Sequence, residues 1–309
     1  MRAWQVHELG APKSALKLVE VEEPTVGSGE VCIRVEAAAL NFFDILLCKG
    51  EYQERPELPF TPGGEVSGPV LEAGEGVDLQ PGDRVIATPP LPRGGYAEKV
   101  VAPVGSVFAI PESIPFESAA ALPITYQTSH VALHRRAGLR EGETVLVHAG
   151  AGGVGSAAIQ LARAAGARVF ATAGGEEKVE ACRRLGAEVA IDYREEDFIK
   201  VVKAATEGRG ADVIFDPVGG DTFDGSRRGL KIGCETDFPL RFQPRDRVGV
   251  ELKHCSLSAD HQVGACTFDA DLLKTLKRFQ FSWQIAVDEN VRALLVDYGK
   301  DSSRGSPSL

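Results

Sequence analysis

A glycine-rich segment at residues 148–155 constrains the fold of this 309-residue chain more than any other feature. It follows an apolar, β-branched run, Thr144–His148, that predicts a strand, and it leads into Gly153–Ala165, which predicts a helix. The residues that would let backbone N–H groups approach a pyrophosphate are Gly150, Gly152, Gly153, Val154 and Gly155. Strand, glycines and helix in this order indicate a dinucleotide-binding βαβ unit, and the alternative is a glycine-rich turn that binds nothing.

The chain after this loop continues to alternate strands and helices. The predicted strands are Arg168–Ala173, Val189–Asp192 and Asp212–Asp216, and the predicted helices are Lys178–Leu185 and Phe198–Thr206. This alternation is typical of a doubly wound parallel sheet with helices on its faces.

From Arg2 to about Ala109 the pattern differs, because short apolar runs are separated by Gly/Pro turns. The predicted elements here are strands at 31–37, 66–72 and 84–87 and a helix at 41–49, followed by helices at 118–122 and 126–136. The chain is therefore predicted to be α/β, with a β-rich, barrel-like domain ahead of the parallel sheet.

The composition excludes several classes of protein. A net charge of −10 disfavours non-specific binding to nucleic acid or to an anionic membrane. The chain has no run of about 18 apolar residues, and residues 1–7 lack the apolar core of a signal peptide, so we expect a cytoplasmic protein. None of the six cysteines lies in a C-x-x-C pair, so we expect free thiols rather than a zinc or iron–sulfur cluster.

The end of the second strand of the predicted sheet bears on the choice between NAD and NADP. An NAD site usually places Asp or Glu there, against the ribose 2′-hydroxyl, whereas this strand ends at Ala173 and Gly174. The nearby residues that would suit a 2′-phosphate are Lys178, Tyr193 and Arg194. We therefore expect NADPH, although Glu176 and Glu177 weaken the argument and solvated helix-surface charge is the alternative for the two cations.

Further motifs resemble, in chain order, those of the zinc-independent medium-chain dehydrogenases/reductases of the NADPH:quinone oxidoreductase type. Besides the glycine-rich loop they comprise residues 39–44 (ALNFFD), 50–52 (GEY), 59–65 (PFTPGGE), 81–85 (PGDRV), 94–98 (GGYAE), 191–197 (IDYREED) and 216–221 (DPVGGD). The resemblance spans about Met1 to Arg228. It implies a GroES-like catalytic domain at 1–122 and a Rossmann NAD(P)-binding domain at 123–255, with nicotinamide and a small-molecule substrate meeting in a cleft between them.

The resemblance also bears on zinc. Zinc-dependent relatives carry a Cys at the start of the stretch that matches Ala39–Asp44 and a His where Gly64 stands, and they insert a four-Cys lobe where residues 88–95 contain no cysteine. Without thiolate or imidazole ligands, a catalytic zinc ion has nothing to bind it, so we expect no metal. Alcohol oxidation would then lack a Lewis acid, and an electron-poor quinone or enone becomes the expected hydride acceptor.

The resemblance implies roles for several side chains near the substrate. Asn41 and Tyr52 are expected to be catalytic by hydrogen bonding to the acceptor's oxygen, with Asp44 orienting that region and Glu65 bracing it. The alternatives are a structural cap or a surface charge for Asp44 and a wall residue without chemistry for Tyr52.

Two positions in the second domain have separate expectations. Thr128, with Gln127 beside it, is implied to lie near the nicotinamide carboxamide, and ordinary helix packing is the alternative. His148, alone in an apolar strand, is expected to make a structural hydrogen bond rather than to act in catalysis.

No motif of the family is recognisable after Arg228. The family's apolar-Gly-apolar edge strand, which often forms the dimer contact, is absent from the sequence of 229–239, so the implied homodimer lacks its usual basis. Three explanations are open: a frameshifted or recombined reading frame, an authentic divergent tail, or a misplaced alignment of the family's motifs. We expect an atypical C-terminal segment at 256–309, with a helix at 271–281, a helix or strand at 291–298 and a disordered Ser/Gly/Pro-rich end.

Three functions are compatible with these residues. The leading one is NADPH-dependent, metal-free hydride transfer to a quinone or enone. The others are reduction of an enoyl thioester and binding of NADPH without catalysis.

Overall fold

The computed structural model describes residues 1–229, which divide into two units between Ile124 and Thr125. Predictions that concern residues 230–309 lie outside this part: the family's edge strand, the domain end at 255, the atypical segment 256–309 and the elements at 271–281 and 291–298. Within residues 1–229, no helix combines the length and apolar character needed to cross a bilayer. The cysteines of this part, Cys32, Cys48 and Cys182, are buried free thiols, as expected.

The first unit is built mainly from antiparallel strands. Its strands are β1 (Arg2–Val6), β2 (Leu16–Glu20), β3 (Glu30–Arg34), β4 (Ala37–Ala38), β5 (Val66–Ala73), β6 (Arg84–Ala87), β7 (Lys99–Pro103) and β8 (Val107–Ala109). Its helices are α1 (Pro12–Ala15), α2 (Phe42–Lys49) and α3 (Phe116–Ala120). Strands β1 and β2 pair with each other, and the larger sheet has the order β7-β3-β5-β6-β8, with β4 paired to β5.

The core of this unit is formed by β-branched residues of the larger sheet. Val31 and Ile33 of β3 are fully buried and belong to one cluster with Val70, Val85 and Val100 from the other strands. Each such side chain contributes about 1.5–3 kcal/mol relative to exposure to water, so a slip in register would be costly.

The predicted strand at 31–37 is wrong in its second half. β3 ends at Arg34, and its pairing with β5 shifts in register between Cys32 and Ile33. A side chain at Gly68 of β5 would collide with the Arg34 carbonyl, so glycine permits an unusually close approach of the two backbones. Leu71 of β5 is the extra residue at this register shift, and after residues 35–36, which lie outside a strand, the chain pairs with β5 again as β4.

The second unit contains the parallel sheet. Its strands are β9 (Thr144–Val147), β10 (Arg168–Ala173), β11 (Val189–Asp192) and β12 (Val213–Phe215). Its helices are α4 (Pro123–His130), which begins just before the junction, α5 (Gly153–Ala164), α6 (Glu176–Leu185), α7 (Phe198–Ala205) and α8 (Asp221–Gly229). The sheet order is β11-β10-β9-β12 with every pair parallel, which confirms the predicted α/β class and doubly wound sheet.

The sheet is buried around β9, one of its two inner strands. β9 is buried along its whole length, and Leu146 packs with Phe170 of β10 and Ile214 of β12. A strand covered on both faces is apolar at nearly every position, which explains why this segment shows no alternation in the sequence.

The helix predicted at 126–136 is interrupted. α4 ends at His130, and the chain continues to Arg136 as a π-helix, where the Ala137 N–H donates to the carbonyl of Ala132, five residues earlier. Sequence periodicity does not distinguish this widened turn from an α-helix, because both keep the apolar residues on one face.

Candidate functional site

The predicted phosphate loop connects β9 to α5 at the carboxyl edge of the parallel sheet. Ala149 adopts a left-handed conformation with φ of 50°, and the Gly150 N–H donates to the Thr172 carbonyl of β10 at 2.9 Å. A Cβ on Gly150 would lie 2.8 Å from Cys182 Sγ, so only glycine permits this contact. The loop is therefore held against the neighbouring strand, while Gly152 and Gly153 are exposed at its tip.

Gly155 serves the close packing of the first turn of α5. A Cβ on this residue would collide with the Ala149 carbonyl, so a side chain would push the helix away from the loop. The Ser156 N–H donates to the Gly152 carbonyl at 2.8 Å, in the helical pattern. The N–H groups of Gly153, Val154 and Gly155 precede that pattern and, with the helix dipole, suit an anionic ligand.

Helix α4 lies against this first turn. Ser129 is fully buried and its hydroxyl donates to the Val154 carbonyl at 2.8 Å. Thr128, one residue earlier, is half-buried, and its place near the nicotinamide stays a prediction. Sequence reasoning missed Ser129, since a serine that bonds a carbonyl outside its own helix leaves no periodic signal.

His148 has the structural role that we expected. Its Nδ1 lies 2.9 Å from Thr172 Oγ1 and its Nε2 lies 2.9 Å from Ser226 Oγ. Because the Ser226 hydroxyl donates to the Thr222 carbonyl, Nε2 carries the proton and Nδ1 accepts from Thr172. Burial lowers the pKa of His148 to about 4, so the ring is neutral at physiological pH.

The predicted ribose end lies where β10 stops, at the buried Ala173. A Cβ on the next residue, Gly174, would lie 2.6 Å from Tyr193 Oη and 2.9 Å from Arg194 Nε. Both of these side chains are exposed, as is Lys178 in the first turn of α6. The structure therefore brings a hydroxyl and a guanidinium to the strand end where NAD sites place an acid.

In the first unit, Asn41 lies immediately before α2 and is bonded to a buried carboxyl group. Asn41 Nδ2 donates to Glu65 Oε1 at 2.8 Å, and the Ile124 N–H donates to Glu65 Oε2 at 2.7 Å. Glu65 is 1% exposed, and burial raises its pKa to about 7 although both hydrogen bonds favour the charged form. An amide nitrogen has two hydrogens, so Asn41 keeps one for another acceptor while Glu65 fixes its orientation.

Asp44 is buried and engaged by three donors. Its Oδ2 accepts from the Asn41 N–H (2.9 Å) and the Tyr96 hydroxyl (2.8 Å), and its Oδ1 accepts from the Gly63 N–H (3.1 Å). Desolvation raises the pKa of Asp44, and these hydrogen bonds oppose that rise. At 5% exposure it is not a surface charge, and its contacts are those of a cap that positions Asn41.

Tyr52 follows α2 in the chain but packs against the beginning of that helix. It follows Gly50, which ends α2 in a left-handed conformation with φ of 70°. Its half-buried ring packs against Phe43, with centroids 5.5 Å apart. Because Phe43 belongs to the first turn of α2, the Tyr52 ring lies beside the turn that follows Asn41. The role of the Tyr52 hydroxyl stays a prediction.

The position that zinc-dependent relatives give to a histidine is filled here by a phenyl ring. A Cβ on Gly64 would collide with Phe43 Cζ and would lie 3.2 Å from Ile124 Cδ1. Across residues 1–229, no three His, Cys, Asp or Glu side chains are grouped as a metal site requires. The described residues therefore do not fit a zinc ion.

Two family models match the chain. Residues 27–112 match the alcohol dehydrogenase GroES-like domain, and residues 153–235 match the zinc-binding dehydrogenase family. The first match falls on the strand-rich unit and the second begins with the first residue of α5. The predicted combination of a GroES-like domain and a Rossmann sheet is confirmed.

Known proteins are similar over most of the chain. Over 224 residues it is 43% identical to the quinone oxidoreductase-like protein 2 homolog of Nematostella vectensis, covering 72% of this chain and 60% of that protein. Over 259 residues it is 34% identical to the quinone oxidoreductase of Rattus norvegicus, covering 81% and 78%. This chain thus spans less than two thirds of the Nematostella protein but more than two thirds of the rat protein.

A solved structure has a similar fold. Escherichia coli quinone oxidoreductase, crystallised in complex with NADPH, superposes with a TM-score of 0.69 at 32% identity, over 75% of this chain and 70% of that one. Sequence motifs, sheet order and these similarities are consistent with one another. The chain belongs to the medium-chain dehydrogenase/reductase family, among the quinone oxidoreductases.

Proposed function

We propose that this protein is an NADPH-dependent oxidoreductase that transfers hydride, without a metal ion, to a quinone or another electron-poor enone. The observation that carries the proposal is the Asn41 amide, which Glu65 holds by one hydrogen so that the other can reach an acceptor's oxygen. Membership of the family and the NADPH bound to the Escherichia coli relative support it.

NADPH is proposed to bind the second unit. Its pyrophosphate would accept from the N–H groups at 153–155, with Thr128 towards the nicotinamide carboxamide. The residues proposed for its 2′-phosphate end are Ala173, Gly174, Lys178, Tyr193 and Arg194. Glu176, which argued against a phosphate, lies 3.6 Å from Arg183 Nη1 further along α6.

In this reaction the protein side chains would supply hydrogen bonds to the acceptor. Bound NADPH would supply a hydride from C4 of its dihydronicotinamide. Negative charge then develops on the acceptor's oxygen, and Asn41 Nδ2–H and the Tyr52 hydroxyl would stabilise it by hydrogen bonds. Asp44, through the Asn41 N–H, and Glu65, through the Asn41 amide, keep this donor in one orientation before the reaction.

Electron-poor acceptors fit this donor set better than alcohols do. A quinone or enone spreads the incoming charge over a conjugated system, so hydrogen bonds suffice to stabilise it. Oxidation of an alcohol needs a Lewis acid or a strong base on the hydroxyl, and the residues near Gly64 do not fit a zinc ion.

Oxidation of NADPH by the full chain tests the proposal, with an ortho-quinone, an enone and an enoyl-CoA as acceptors. We expect turnover of the first two and a kcat lower by about 100-fold in Asn41→Ala, the size found when one oxyanion donor is removed. Ser14→Ala, which removes an exposed hydroxyl bonded to the Ala11 carbonyl, is the control and should keep wild-type turnover.

Other outcomes would contradict the proposal. Turnover of the enoyl-CoA alone would make an enoyl thioester the substrate. Binding of NADPH with no turnover of any acceptor would leave a cofactor-binding protein. An unchanged kcat in Asn41→Ala would remove this amide from the reaction.

A further inference from the structure

Asp192 is an acidic residue beside the place proposed for a phosphate. It is the last residue of β11 and pairs in register with Ala173, the last residue of β10. Adjacent strands lie about 5 Å apart, so its carboxylate is close to the proposed 2′-phosphate site at Gly174. A free carboxylate at this position would repel a phosphate.

This carboxylate is engaged by two backbone donors from two different loops. Its Oδ2 accepts from the Gly175 N–H and its Oδ1 accepts from the Arg194 N–H, both at 3.0 Å. Gly175 has φ of 92°, a conformation that favours glycine, where the chain turns from β10 into α6. Asp192 therefore joins the loop after β10 to the loop after β11.

We infer that Asp192 is the positioning residue for the 2′-phosphate of NADPH, because it clamps these two loops so that Tyr193 and Arg194 stay over Gly174. The inference rests on the proposed use of NADPH. One of its two donors is the backbone of Arg194 itself, so loss of the carboxylate removes a hydrogen bond from the residue that carries the guanidinium. The same hydrogen bonds occupy the carboxylate and reduce its repulsion of the phosphate.

A clamp and a simple charge predict opposite results. If Asp192 acted only through its charge, removing it would strengthen the binding of a 2′-phosphate, since a repulsion would disappear. If it acts as a clamp, the same substitution weakens that binding. Asp192→Asn also breaks the clamp in part, because an amide has one oxygen and presents a donor to the second N–H group.

Calorimetric titration of the full chain with 2′,5′-ADP and with 5′-AMP, which differ in the 2′-phosphate, tests this inference. Asp197→Ala is the matched control, since Asp197 likewise accepts two backbone N–H groups, from Ile199 and Lys200 at the start of α7. We expect the Kd for 2′,5′-ADP to rise about tenfold or more in Asp192→Ala and less in Asp192→Asn, with the Asp197→Ala value within about twofold of wild type. The Kd for 5′-AMP should stay within about twofold in all variants.

The outcomes separate this inference from the proposed function. The thermal midpoints of the two alanine variants should be similar, so a change confined to 2′,5′-ADP is not a loss of folding. If Asp192→Ala does not fold, Asp192→Asn decides the question. A variant that keeps the wild-type preference for 2′,5′-ADP, or strengthens it, overturns the inference alone. A wild-type protein without that preference overturns the proposed use of NADPH as well.

Discussion

Glu65→Gln should change the stability of this protein in a way that depends on pH. Burial raises the pKa of Glu65 to about 7 from an ordinary value of 4.5. Because the folded-state pKa is raised, the contribution of Glu65 is fully present below pH 4.5 and is lost as the pH rises through 7. The two pKa values correspond to a loss of about 3 kcal/mol from the free energy of unfolding once both states are ionised.

The glutamine variant has no charge to desolvate. Its amide oxygen can accept from Asn41, but its NH₂ group then faces the Ile124 N–H, which costs about 1 kcal/mol. Between about pH 5 and pH 8 the wild type should lose about 2.5 kcal/mol that the variant keeps. The variant should therefore match the wild type near pH 5 and exceed its free energy of unfolding by about 2 kcal/mol near pH 8.

Urea unfolding across this pH range measures the difference. Trp4 of β1 reports on the unit that holds Glu65, in a Trp283→Phe background that leaves it as the single tryptophan. Glu72→Gln, an exposed carboxylate on β5, is the control and should follow the wild type.

The buried histidines do not obscure this comparison. Burial lowers the pKa values of His134 and His148 to about 4, so their contributions are lost as the pH falls from 6.5 towards 4. The contributions of these two histidines are the same in wild type and variant, so they cancel when the two free energies of unfolding are subtracted. A difference between Glu65→Gln and wild type that stays constant from about pH 5 to pH 8 would refute the reasoning.

Two shorter predictions concern the cofactor and the metal. Gly174→Asp should raise the KM for NADPH about tenfold or more and that for NADH less, because the new carboxylate would displace Tyr193 Oη and Arg194 Nε and repel a 2′-phosphate. Equal changes in both KM values, measured with one acceptor, would contradict the assignment. Prolonged treatment with a chelator should leave NADPH oxidation unchanged, because the residues around Gly64 do not fit zinc, and activity lost to the chelator and restored by Zn²⁺ would show otherwise.

Elements with a local signal could be predicted from the sequence. β6, β10 and β11 have the predicted bounds, since each is a short apolar run between turn residues. The phosphate loop was also predictable, because its glycines act within one strand–turn–helix segment. The end of β3 at Arg34 was not, since the backbone there lies against Gly68, in a strand more than thirty residues away.

The partners of the proposed catalytic residues could be predicted only in part. The resemblance placed Asn41, Asp44 and Glu65 in one region, but it did not show which atoms bond. Tyr96 reaches Asp44 across 52 residues, and Glu65 reaches the Ile124 N–H across 59. Such contacts depend on how the strands pack against one another. The periodicity of a sequence predicts which face of an element is buried, but not which side chains meet on that face.

Several carboxylates of residues 1–229 bond mainly to the backbone, and this bears on how the acidic residues there should be interpreted. Asp44, Asp192, Asp197 and Asp216 each accept hydrogen bonds from two backbone N–H groups. Loops have little apolar surface to bury, whereas each hydrogen bond to a charged group contributes about 1.5–3 kcal/mol, and one carboxylate can fix two segments at once. Asp197 and Asp216 bond within their own turns, whereas Asp44 and Asp192 also bond to a segment at least 17 residues away. The carboxylate of Asp192 is therefore occupied in joining two loops, which is consistent with the phosphate proposed beside it.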